Sequence, residues 1–79
     1  MTHDLKCWPQ YFQAVLDGRK PFEIRERRDR VFSVGDTLLL REWEPSSESY
    51  TGRRCERRVT YITDFAQKPD YCVMGLEAA

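Results

Sequence analysis

Gly18-Arg19-Lys20-Pro21-Phe22-Glu23-Ile24-Arg25 is the stretch on which the fold turns. Gly18 suits the left-handed position just past a helix, and Pro21 cannot continue one. From Lys20 onward polar and apolar residues alternate with the period of a strand, which sets Phe22 and Ile24 on one face. Glu23 and Arg25 share the other face, and Lys20 joins them only through a bulge or twist near Pro21. A helix stop is thus followed by a strand that delivers lysine, glutamate and arginine within six residues. In one cleft, Lys20 and Arg25 can hold phosphate or a carbonyl oxygen, while Glu23 orients an amine or acts as a base. The plainer alternative is an ion pair between Glu23 and an arginine that pins the strand to the helix.

Upstream, Pro9 to Asp17 reads as a short helix with proline at its first position. Trp8, Phe12, Val15 and Leu16 fall at i, i+4, i+7 and i+8, one apolar stripe, and Trp8 is expected in the core with Phe12. His3 and Lys6 precede this helix; a lone histidine near a terminus is expected to be solvated, and Lys6 to reach the cleft. Downstream, Glu26 to Arg30 is a charged turn, and Val31-Phe32 begins a short apolar segment. Ser33-Val34-Gly35-Asp36 is turn chemistry feeding a strand from Thr37 to Trp43, whose Leu38-Leu39-Leu40 run is apolar on both faces and marks it as central. Glu44 to Ser49 is a loop, closed by Tyr50-Thr51-Gly52. Arg53 to Thr63 reads as a long strand with Cys55, Arg57, Val59, Tyr61 and Thr63 on one face. Asp64 to Asp70 is a second loop and Tyr71 to Leu76 a last strand. One helix and four or five short strands give an α+β, mainly β architecture, a small barrel whose closure removes exposed edges.

The chain has 79 residues, enough for a single domain and a small core. Apolar residues make up 41% and charged residues 33%, the balance of a soluble globular protein and not of a disordered one. No apolar run approaches the roughly 18 residues of a membrane span, and no leader pattern opens the chain, so a cytoplasmic location is expected. Cys7, Cys55 and Cys72 are odd in number and contain no CxxC pair, so they read as free thiols. Neither a metal nor an organic cofactor is called for. Net charge is zero, but ten of the thirteen basic residues fall in two windows, Gly18 to Arg30 and Gly52 to Thr60. Segregation of that kind can create a local positive field, the footprint of an anionic ligand.

Gly18-x-Lys20-x-x-Glu23-x-Arg25 resembles the GxKxxExR signature of ASCH domains, a branch of the PUA-like superfamily, and Gly35-Asp36 opens a strand as it does there. His3-x-Leu5-Lys6, Trp8-Pro9-x-Tyr11-Phe12, Arg30-x-Phe32-x-Val34-Gly35-Asp36, Leu40-Arg41-Glu42 and Tyr50-Thr51-Gly52-Arg53 are similar to a short stand-alone subfamily from bacteria and phages, domain-of-unknown-function family 3850. The resemblance covers essentially the whole chain. It implies a pseudo-barrel of about five mixed strands with the helix covering one end, and a cleft between them that relatives use for RNA or nucleotides. One ASCH branch resembles an amidohydrolase acting on a modified cytidine through a lysine, a threonine and a glutamate. Lys20 matches its lysine; Glu23 stands at the threonine position, and the segment bearing its glutamate has no counterpart.

Three functions follow as expectations. The first is an RNA- or nucleotide-binding module, a monomer or weak dimer, with Lys6, Lys20, Glu23, Arg25, Arg30, Tyr50 and Arg53 as ligand contacts. Tyr50, Trp43 and Trp8 are aromatic surfaces on which a base can stack; Tyr50, in a polar loop, is the better candidate, since core packing is favoured for Trp8. The second is a small amidohydrolase with Lys20 and Glu23 as catalytic groups. The third is a phage or bacterial protein–protein adaptor.

Overall fold

Alternation begins at the second residue. The computed structural model describes residues Met1–Ala79, and in it β1 (Thr2–Cys7) buries every other side chain: His3, Leu5 and Cys7. This strand is absent from the sequence reading because Asp4 and Lys6 leave only three inward positions, one of them a histidine. β1 runs parallel to β3 (Thr37–Glu44), with Leu5 opposite Leu40. His3 corrects the expectation of a solvated imidazole. It is only 5% exposed, its ring packs 4.6 Å from that of Phe32, and its Nε2 lies 2.8 Å from Asp36 Oδ2. That bond, and a second from the Ser33 backbone N–H, pull the Asp36 carboxyl down to about 2.

The helix α1 (Pro9–Leu16) starts on proline and ends where Asp17 closes the last turn and Gly18 takes φ +78°. Its inward face is narrower than the apolar stripe suggested. Phe12 and Val15 are buried, whereas Trp8 and Leu16 are substantially exposed. Phe12 meets a core of Leu38 and Leu40 from β3, Val59 from β4 (Ser49–Thr63), and Cys72 and Met74 from β5 (Tyr71–Ala78). The sheet order is β1-β3-β4-β5-β2, with β2 (Phe22–Glu26) antiparallel to β5. β1 and β2 are therefore the two free edges of a curled, mixed five-stranded half-barrel. The mainly β class and the single short helix agree with the sequence reading.

Two local expectations change. Tyr50, Thr51 and Gly52 belong to β4, not to a loop, and form the far end of a long β3–β4 hairpin. A register shift between Val59 and Tyr61 reverses the phase of β4, so Tyr61 points outward and Ile62 packs on the core. Phe32 sits in a loop, yet it is buried through its contact with His3. No helix is long and apolar enough to cross a membrane.

Candidate functional site

The strand that defines the site is turned opposite to the usual hydrophobic-inward pattern. In β2 Glu23 is 3% exposed and Arg25 is half-buried, while Ile24 is 48% exposed. The charged face points into the molecule because partners wait there. Lys20 Nζ donates to Glu23 Oε1 at 2.6 Å and to the Phe22 carbonyl at 3.0 Å. Arg25 Nε donates to Glu23 Oε2 at 2.8 Å. Both carboxylate oxygens are thus engaged by cations, which offsets the cost of burying the charge. Lys20 needs no bulge to take part: β2 begins only at Phe22, and the lysine reaches back along its own stem from the turn after α1.

Arg25 has a second task. Its Nη2 donates to the carbonyl of Lys6 at 2.7 Å, across the gap between the free edges β2 and β1. One side chain thereby replaces the ladder bonds that would close the barrel here. Above this bridge the edges and the helix diverge to leave a cleft of about 810 Å³. Tyr11 from α1 and Trp8, the residue that caps its start, both about half exposed, supply one side; Phe22 and Ile24 from β2 supply the other, with Tyr71 beyond. Lys6, Lys20, Glu23 and Arg25 bring the charge. Lys20 Nζ lies 5.0 Å from the ring centroid of Phe22 and 5.8 Å from that of Tyr11, so the cation is framed by aromatic surface.

Cys7 lies at the floor of the cleft but is buried, and burial, followed by the Glu23 charge, pushes its thiol up to about 11. A protonated, enclosed thiol is a poor nucleophile. Burial also raises Cys55 and Cys72. Nowhere do three or more His, Cys, Asp or Glu side chains converge as metal ligands would.

Of the ligand contacts expected from sequence, Lys6, Lys20, Glu23 and Arg25 come together in this cleft. Arg30, Tyr50 and Arg53 do not line it. Arg30 lies over the outside of Phe32 at 6.0 Å. Tyr50 carries the Arg41 guanidinium on its ring at 3.9 Å. Arg53 donates to Glu42 Oε1 at 3.1 Å and to Gln13 Oε1 at 2.9 Å, tying the hairpin to the helix. Trp8, for which the sequence favours core packing over stacking, lines the cleft, and so does Tyr11, to which the sequence reading gives no role; their three-residue spacing beside Pro9 is the available signal.

The two basic windows also look different once folded. Arg27 meets Asp64 at 2.8 Å, Arg28 meets Asp70 at 3.4 Å, and Arg58 meets Glu77 at 3.3 Å. Carboxylates from distant parts of the sequence therefore return to the windows. The local positive field is weaker than the linear spacing implied, and the cleft is a balanced charge network with cationic margins.

Comparison with known proteins is consistent across the chain. An uncharacterized 12.9 kDa protein in the GpA 3' region of Escherichia phage P2 is 42% identical over 64 residues, covering 81% of this chain and 56% of the phage protein. The chain thus spans a little over half the length of that curated relative. The model of one family matches residues 2–76, which takes in β1 to β4, β5 but for its last two residues, the helix and every residue of the cleft, and by that match the chain belongs to the family described as Domain of unknown function (DUF3850).

Proposed function

We propose that this chain is an RNA- or nucleotide-binding module that takes a base into the cleft between α1 and β2. The observation carrying this reading is the cleft itself, with half-exposed Trp8 and Tyr11 facing a buried carboxylate held between Lys20 and Arg25. Base stacking on such half-exposed rings is worth about 1–3 kcal/mol per base. Lys6 at the margin suits a phosphate, and Glu23, buried and ion-paired on both oxygens, holds Lys20 and Arg25 in place beside it. The resemblance of Gly18-x-Lys20-x-x-Glu23-x-Arg25 to the ASCH signature supports the same reading, since PUA-like relatives use a cleft in this position for RNA or nucleotides; fold likeness alone would not suffice.

The 2.6 Å contact between Lys20 and Glu23 gives the amidohydrolase reading its one specific support. Against it, Glu23 is ion-paired on both oxygens and Lys20 Nζ is already engaged by Glu23 and by the Phe22 carbonyl, which favours positioning over proton abstraction.

Chemical-shift perturbation with short RNAs and a panel of plain and acylated nucleosides tests both. Shifts centred on Trp8, Tyr11 and Lys20 to Arg25, weakening as salt rises, are the expected result. Consumption of an acylated nucleoside, abolished by Lys20→Ala, would favour the hydrolase. The absence of any shift at low salt would sink the binding reading and favour the adaptor.

A further inference from the structure

The outer face of β1, β3 and β4 carries charge that the cleft does not use. The cross-strand register sets Lys6 opposite Arg41 and Arg41 opposite Arg54. Three cations therefore stand in one row across three strands, about 10 Å from end to end at ordinary strand spacing. Like charges directly opposite one another destabilise a sheet. Compensation is thin: Asp4 reaches Arg41 at 3.6 Å, with over half of its side chain in water. Past the register shift after Arg41, Trp43 stands opposite Tyr50. The cations lean on these rings, Lys6 Nζ 4.5 Å from Trp43 and the Arg41 guanidinium 3.9 Å from Tyr50. Arg41, Tyr50 and Arg54 also border a depression of about 160 Å³.

Protection of a free edge accounts for Arg54, whose part of β4 pairs only with β3. It does not account for Arg41, which lies between two strands. Lys6 belongs both to this row and to the lip of the cleft, so the two surfaces are continuous.

We infer that the Lys6–Arg41–Arg54 row is a track for the sugar–phosphate backbone of single-stranded RNA leaving the cleft. The inference rests on the cleft being a base site, and it narrows the ligand from a mononucleotide to a polynucleotide. Guanidinium groups take phosphate oxygens in pairs. The Trp43–Tyr50 row beside them offers stacking surface, which an acidic peptide or an anionic bilayer does not exploit as bases do.

The test compares uridine monophosphate with a uridine octanucleotide, on wild type, Trp8→Ala, Arg41→Gln/Arg54→Gln and Arg41→Lys/Arg54→Lys, with folding monitored by circular dichroism. The octanucleotide is expected to bind wild type more tightly than the monophosphate does. The double glutamine variant should weaken octanucleotide binding by about tenfold and flatten its logarithmic salt slope by about 1.4, about 0.7 for each lost phosphate contact. It should leave the monophosphate affinity unchanged, and the double lysine variant should recover most of the loss. An octanucleotide that gains nothing over the monophosphate, or that is indifferent to Arg41 and Arg54, overturns the track and leaves the cleft reading standing. Sensitivity to Arg41 and Arg54 with Trp8→Ala silent keeps the track and removes the cleft. Equal binding of polyglutamate or phosphatidylserine vesicles through the same two arginines also overturns it.

Discussion

Glu23 is where sequence, packing and chemistry meet most tightly. It lies buried between Lys20 and Arg25, and Arg25 in turn holds β1 through the Lys6 carbonyl. Removing the carboxylate leaves two half-buried cations facing each other, so Glu23→Ala should lower stability by about 2–4 kcal/mol in urea unfolding, less than a fully buried pair would lose. A loss under about 0.5 kcal/mol would mean that water replaces the carboxylate and that the network is not structural. Cys7 gives a second check at this scale. With its thiol pushed up to about 11 and its side chain buried, it should react slowly with a disulfide reagent near pH 8 in the native protein and rapidly in urea. Fast native labelling at Cys7 would show that the floor of the cleft opens.

At the scale of elements, α1 and the residue that caps it have separable jobs. Phe12 is fully buried against β3, β4 and β5, so Phe12→Ala should cost about 3–5 kcal/mol. Trp8 is half exposed over the cleft; Trp8→Ala should cost far less stability but weaken RNA binding by about 1–3 kcal/mol. Equal stability losses for the two would place Trp8 in the core after all. The β3–β4 hairpin carries the opposite kind of liability. Because Arg54 faces Arg41 across the ladder, Arg54→Thr should leave thermal stability unchanged or raise it, by up to about 1 kcal/mol. A clear loss of stability would mean that Arg54 has a structural partner.

For the whole molecule, stability depends on fastening β1 at one edge of the sheet. Asp36, in the turn before β3, bonds His3 and the Ser33 N–H, and its carboxyl falls from the ordinary 3.8 to about 2. Between those values the unfolded chain binds more protons at this site than the native one, so acid favours unfolding. The contribution of Asp36 is complete above about pH 4, shrinks as pH falls and is gone near about pH 2. Urea midpoints for wild type and Asp36→Asn should therefore converge as pH falls through this range. A gap that stays constant would assign the effect to packing and not to charge. In a chain whose core is eleven residues, a single fastening of this kind is a large share of the total.

The helix from Pro9, its glycine stop, the interior strand around Leu38-Leu39-Leu40 and the grouping of Lys20, Glu23 and Arg25 are legible in the chain alone. Each is a local matter: a fixed φ, a permitted positive φ, an apolar run, a spacing of a few residues. Tertiary structure decided what local patterns leave open. Strand period says which residues share a face but not which face turns inward; in β2 the ion pairs that Lys20 and Arg25 make with buried Glu23 reverse the usual choice, and Ile24 goes to solvent. β1 exists because β3 offers it a parallel partner, and His3 is buried because Asp36, thirty-three residues away, can bond it. Trp8 and Tyr11 became cleft walls, and the basic windows lost much of their field, for the same reason. Contacts between residues far apart in sequence set solvent exposure and charge balance, and no period in the chain records them.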